Sequence, residues 1–189
     1  RRDGKEQLIK KIEQDAHDNE VMYWGCARAV LDALQRHLNL GDSEVFRAAS
    51  PLAGGVGRMG EACGALIAGV MAIGLAYAPA KFAAEKVSRE DPEYTEAIVR
   101  AHKFCEKFKE KFGCLRCHDV KAAVRGVHYK EYTRRDTIEA FEDHAKCGDV
   151  TGPAARLAAE IILQPTELFR AEIDAALEDL SQVRKQRKD

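Results

Sequence analysis

The feature that most constrains the fold is a stretch from Ala62 to Ala80 that carries no charged side chain. Its length reaches the lower edge for a membrane-spanning helix. It is built largely of Ala and Gly, however, and is weakly hydrophobic beside a Leu-rich span. The expectation is therefore a buried central helix with no membrane span. Its glycines Gly64, Gly69 and Gly74 leave room for other helices to approach closely.

Around this segment apolar residues recur at spacings of three and four, and no run of period two stands out. The spacing predicts a helix over about 5–18 with Leu8, Ile9, Ile12 and Ala16 on one face, and a second over 26–38 burying Val30, Leu31 and Leu34. Gly41 is expected to stop the second helix, and Asp42 or Ser43 to cap a short one through Ala48. A long helix over 92–112 carries Ile98, Ala101, Cys105, Phe108 and Phe112 as its core seam and ends at Gly113. Residues 119–132 read as a polar loop. A helix over 134–146 follows, capped by Thr133 and ended by Gly148. Pro153 is read as opening another, and Pro165-Thr166 the last, with Phe169, Ile173, Ala176, Leu177 and Leu180 inward. The fold expected for residues 1–189 is one all-α domain, a compact bundle of about seven or eight helices around the Gly/Ala-rich one.

At 189 residues, with 46% apolar and 32% charged side chains, the chain can bury a real core. A net charge of −1 leaves no global field to recruit nucleic acid or an anionic membrane. The basic group Arg184, Lys185, Arg187 and Lys188 complements the negative end of the last helix. The chain begins with Arg, so the sequence leaves the compartment open; cytoplasmic is the expectation, periplasmic if a haem is attached.

Six cysteines are many for one helical domain but too few for a secreted disulfide scaffold. Cys26 begins a helix after Tyr23-Trp24-Gly25. Cys63 falls in the first turn of the central helix, after the turn Gly54-Gly55-Val56-Gly57-Arg58-Met59-Gly60. A helix start offers backbone N–H groups and positive potential, which stabilise a thiolate; buried packing is the competing reading for both. Cys105 sits on a core seam and reads as packing. Cys117, just past Gly113, and Cys147, just before Gly148, occupy helix edges from which side chains could point at a shared site. The glycine-rich turn is not a nucleotide loop, because no strand precedes it and no Lys-Ser/Thr follows. Glu61, beside Cys63, reads as favouring a helix start, and His17 and His37 as solvated. No residue is singled out as catalytic.

The ordered pieces Cys26-Ala-Arg-Ala-Val, Gly54-Gly55-Val-Gly57-Arg58-Met-Gly60-Glu61-Ala-Cys63-Gly64-Ala65, Phe112-Gly113-Cys-Leu-Arg-Cys117-His-Asp119 and a late Cys147 resemble one family. It is the redox-active bacterial family named for its C…GCAxxG…C…C pattern, similar in part to a region of split-Soret cytochromes. The likeness runs from about Cys26 to Leu163, with Ala68 standing where a glycine often follows the Cys-Gly-Ala piece. The resemblance maps the family cysteines onto Cys26, Cys63, Cys117 and Cys147 and leaves Cys105 and Cys114 outside. It implies a [2Fe–2S] or [4Fe–4S] cluster on those four thiolates, used for electron transfer or redox sensing with a redox partner protein. Bare backbone at Gly54, Gly55, Gly57, Gly60 and Gly64 would come close to the cluster sulfides. A structural zinc in an interaction module is a second use of four thiolates. Two further readings rest on Cys114-Leu-Arg-Cys117-His118. One is haem c with His118 as an axial ligand and His102, His128 or His144 opposite; the other is a thiol–disulfide pair. The sequence does not fix the oligomeric state; a homodimer is the assembly to test.

Overall fold

The computed structural model describes residues 2–82, 91–126 and 145–186. Among these residues every regular element is a helix, with no strand; one isolated antiparallel bridge joins Ala62 to Arg116. The helices are α1 (Arg2–Tyr23), α2 (Cys26–Leu38), α3 (Ser43–Ala49), α4 (Gly64–Tyr77), α5 (Pro92–Phe112), α6 (Cys117–Arg125), α7 (Ala145–Ile162) and α8 (Arg170–Gln186). Single turns of 3₁₀ helix at Ser50–Leu52 and Thr166–Phe169 lead out of α3 and into α8. The all-α expectation holds. No helix among the described residues is long and apolar enough to cross a membrane.

Local chemistry sets several boundaries. Asp42 caps α3 by accepting from the N–H groups of Glu44 and Val45 at 3.0 and 3.2 Å. Asp91 caps α5 in the same way, Pro92 fills the first position, and Gly113 ends the helix at φ 78°. Helix α2 stops two residues before Gly41, at Asn39, which takes the left-handed conformation itself.

Helix α4 packs against α2, α5 and α7, and α7 also lies along α1. Ala65, Leu66, Ala68, Ala72 and Ile73 of α4 meet Val30, Leu31 and Leu34 of α2, Phe104 and Phe108 of α5, and Ala154, Ala158 and Ile161 of α7 in one apolar core. Ile9, Ile12 and Ala16 supply the α1 face, as the spacing predicts.

Several expectations change. Residues 119–125 are helical, continuing α6, where a loop was expected. Gly148 and Pro153 neither end nor begin a helix: both lie inside α7. A Cβ on Gly148 would stand 2.7 Å from the His17 ring, so this glycine is spent on close packing of α7 against α1. Thr151 reinforces the contact by donating to the Ala16 carbonyl at 3.1 Å. The buried face of α5 is also rotated from the expected seam. Ile98 is 51% exposed, whereas Arg100 and Phe104 are fully buried.

Arg100 is accommodated because every part of it is matched. Its guanidinium pairs with Glu96 at 2.7 Å, donates to the carbonyls of Ile161 and Gln164, and is sandwiched between the rings of Tyr77 and Phe169. His37, expected to be solvated, is mostly buried and bonded to Asp15 at 2.7 Å. The expected helix over 134–146 with its Thr133 cap lies almost wholly outside the described residues, as do His128 and His144. The side chains of Leu180, Arg184, Lys185, Arg187 and Lys188 also lie outside them.

Candidate functional site

Three of the four motif cysteines stand at helix starts, and the local sequence shows why. Helix α1 ends at Tyr23, and Trp24 and Gly25 turn the chain at φ 58° and 109°. Cys26 then opens α2. Cys63 is the N-cap of α4, and Cys117 is the first residue of α6. The bridge between Ala62 and Arg116 ties these two starts together. Cys63 N–H donates to Leu115 O at 2.9 Å, Cys117 N–H to Glu61 O at 2.6 Å, and His118 N–H to Gly60 O at 3.1 Å. Cys147 differs from its expected place. It is the third residue of α7 as described, and Gly148, expected to end a helix just after it, lies inside α7.

The glycine-rich turn forms one wall. Residues 54–58 all carry positive φ, including Val56 at 59° and Arg58 at 65°. This is a short left-handed run, and each non-glycine residue in it costs about 1–2 kcal/mol. Gly55 is where only glycine fits: a Cβ there would lie 2.6 Å from Cys117 Cβ and 2.7 Å from the Glu61 backbone. Gly64 brings α4 against α2 with equal economy, since its Cβ would stand 2.5 Å from Cys26 Sγ. Gly54 donates its N–H to the Cys26 sulfur. Gly60 accepts from His118, and Gly57 is exposed with nothing near its missing Cβ, so it serves the turn and not the thiols.

The four thiols share one neighbourhood. Cys26 lies in the fields of Cys63 and Cys117, and Cys63 in those of Cys117 and Cys147. Burial pushes the Cys26 thiol well above its ordinary range, and the charges of Cys63, Glu20 and Cys117 add to the rise against the Gly54 N–H. Burial likewise raises Cys63, with Cys117 and Cys147, to about 12, although the N–H groups of Leu66 and Ala65 point at its sulfur. The helix starts do supply N–H donors, as expected. Their pull toward the thiolate is outweighed by desolvation and by the neighbouring sulfurs.

The surroundings define what this arrangement can hold. The donor set is sulfur from four cysteines, enclosed by backbone close enough at Gly55 and Gly64 to exclude even a methyl group. None of the six cysteines is joined in a disulfide. Among the described residues no group of three or more His, Cys, Asp or Glu side chains has the spacing for a metal ion. Four thiols with backbone N–H donors match the ligand chemistry of an iron–sulfur cluster, whose sulfurs accept such hydrogen bonds.

Cys105 is half-buried against the core, consistent with packing. The Cys114 thiol turns back to donate to Phe112 O at 3.3 Å. Glu61 is exposed and pairs with Arg116 at 3.1 Å. His102 is exposed near Glu106, and His118 is half-buried. One site residue goes unmarked in the motif reading: Glu20, which is 2% exposed and faces Cys26 from the end of α1. Its signal was present in the spacing, because Glu20 continues the buried register Ile9, Ile12, Ala16 by four residues.

The family model described as "Putative redox-active protein (C_GCAxxG_C_C)" matches residues 24–161, well over half of the chain. The chain belongs to this family. No curated protein and no solved structure matches it. Within the C_GCAxxG_C_C match lie all four converging cysteines and the glycine-rich turn, whereas Glu20 falls just outside.

Proposed function

We propose that this C_GCAxxG_C_C protein carries electrons, or senses redox state, through an iron–sulfur cluster held by Cys26, Cys63, Cys117 and Cys147. The observation that supports this reading is the electrostatic coupling of four thiols from four separate elements, α2, the start of α4, α6 and α7, with Cys63 and Cys117 buried and Cys26 and Cys147 half-buried. A bound cluster would supply a centre that gains and loses an electron without rearranging the chain. The chain's own contribution is to fix the ligands and shape their surroundings. The Ala62–Arg116 bridge holds the Cys63 and Cys117 backbones together. The N–H groups of Gly54, Ala65 and Leu66 stabilise charge on sulfur. The burial of Cys63 and Cys117 keeps water from the ligands.

Anaerobic purification followed by iron and sulfide assay and a visible spectrum tests the proposal. Stoichiometric iron and sulfide with a sulfur-to-iron charge-transfer band is expected, lost on Cys→Ser substitution at any of the four positions. Cys105→Ser and Cys114→Ser should keep the spectrum. A colourless, iron-free protein refutes the cluster, and a covalent haem mass that disappears in Cys114→Ser replaces it with the cytochrome reading.

A further inference from the structure

Two short segments beside the cysteines display apolar side chains to solvent. Among the described residues ten large apolar side chains are exposed, and five of them are Met22, Tyr23, Trp24, Val56 and Met59. The segments are distant in sequence but meet in space. Leu52 O and Cys26 Sγ border the same point, the missing Cβ of Gly64, at 2.9 and 2.5 Å. Trp24 stands two residues before that cysteine, and the Val56 N–H donates to Leu52 O at 3.2 Å. Arg28 braces the junction. Its guanidinium donates to Trp24 O at 3.2 Å and lies over the Phe46 ring of α3, the helix that leads toward the glycine-rich turn.

Packing within one chain does not account for this display. Trp24 and Val56 hold left-handed backbone at φ 58° and 59°, which bulky and β-branched residues resist, yet their side chains stay 46% and 43% exposed. Hydrogen bonds from Gly57 N–H to Pro51 O at 2.7 Å and from Arg58 N–H to Ala53 O at 3.1 Å fix the turn, so its side chains are presented on a rigid frame. Met22, Tyr23 and Met59 are exposed by 67%, 69% and 70%. The five side chains together offer on the order of 600 Å², the upper end for the largest apolar patch of a monomer. A standard interface takes about 800 Å² from each partner, which this patch and its rim supply. Its chemistry selects the occupant. Aromatic side chains and Met are enriched in interface cores and most charged ones depleted, and within residues 22–24 and 56–59 only Arg58 is charged. Transient electron-transfer contacts are smaller, and permanent interfaces are the more apolar ones. Two-fold pairing of identical chains is the commonest permanent assembly, and a net charge of −1 sets up little repulsion between copies.

We propose that Met22, Tyr23, Trp24, Val56 and Met59 form the self-complementary interface of a two-fold homodimer, in which a second copy of this chain covers the patch. The pairing places the two cysteine sites on either side of one interface, and it does not depend on the iron–sulfur reading.

Sedimentation velocity of the full chain over a concentration series tests the pairing, under a thiol reductant that prevents disulfide-linked pairs. Wild type should be a dimer that dissociates on dilution. Trp24 is the only tryptophan in the chain, so its emission should shift to the red as the dimer comes apart, with no substitution needed. Met22→Glu and Met59→Glu, one on each segment, should each weaken the dimer tenfold or more and keep the helical circular dichroism. Either variant serves if the other does not fold. Leu168→Glu, at a residue 65% exposed on the turn before α8, should dimerise like wild type. A wild type that is monomeric at every concentration overturns the proposal. So does a dimer that both Met substitutions leave within about twofold of wild type. Neither result touches the iron content, and the iron–sulfur reading then stands or falls on its own assay.

Discussion

The three glycines of α4 offer one substitution in three settings. Gly→Ala inside a helix is worth about 1 kcal/mol, part of it from restricting the unfolded chain. Gly74 has helical φ and nothing within 4 Å of its missing Cβ, so Gly74→Ala should realise the whole gain. For a chain of this size that raises the melting temperature by roughly 2–4 °C. At Gly69 the same methyl would stand 2.4 Å from Cζ of Phe104. That ring is fully buried and edge-on to Phe108, with centroids 6.2 Å apart, so it has nowhere to retreat. Overpacking costs about 1–3 kcal/mol, and Gly69→Ala should lose up to about 2 kcal/mol net. At Gly64 the methyl meets Cys26 Sγ at 2.5 Å and the Leu52 carbonyl oxygen at 2.9 Å. Backbone cannot swing aside, and the first helical position gains least from Ala. Gly64→Ala should therefore lose stability and displace the Cys26 thiol.

Thermal unfolding followed by far-UV circular dichroism ranks the three variants. Iron content after anaerobic purification reports separately on the thiols. The expected order of stability is Gly74→Ala, wild type, then the other two, with iron lost chiefly in Gly64→Ala. If Gly64→Ala matches Gly74→Ala in stability and keeps wild-type iron, α4 does not approach Cys26 as described, and the cradle argument fails.

Val56→Asn should stabilise by about 1 kcal/mol in urea unfolding, because Asn tolerates the left-handed conformation that a β-branched residue resists. Arg100→Met leaves Glu96 without its cation and should cost about 3–5 kcal/mol in the same assay. Its iron content should stay unchanged, since Tyr77 at the Arg100 end of α4 lies about 20 Å from Cys63. In the metal-free protein, burial raises the Glu20 carboxyl from 4.5 to about 7, so the folded state holds this proton more tightly than the unfolded one. The stability it contributes is complete below the unfolded value and lost as pH rises through the folded one, a fall of about 3 kcal/mol. A pH series of urea unfolding should show that limb in wild type and not in Glu20→Gln.

Where intrinsic chemistry decides, the sequence is readable. The Asp91-Pro92 start and Gly113 end of α5 are set by capping and by φ, and they fall where those residues predict. The Cys26 start of α2 is equally direct. Where distant packing decides, local signals mislead. Gly148 and Pro153 look like punctuation, but Gly148 makes room for His17, and Pro153 is carried inside a helix that its neighbours enforce. Arg100 looks like a surface residue because the carbonyls of Ile161 and Gln164 that satisfy it lie more than sixty residues away. Of the site, the motif named the four cysteines proposed as ligands. It does not reach Glu20, whose burial is set by the packing of α1.

The direction of the thiol shifts carries the mechanistic weight. A lone cysteine at a helix start gains from the N–H groups and ionises more readily; Cys63 has those groups and still resists. Burial is the largest cause of the difference, and neighbouring sulfurs add to it: Cys63 and Cys117 raise Cys26, and Cys117 and Cys147 raise Cys63. Cys26 and Cys63 are therefore held toward the neutral thiol in the metal-free chain, which weighs against a reading that needs a reactive thiolate at either. Under the proposed cluster, positive charge would favour the thiolate form that burial and sulfur crowding oppose in the metal-free chain.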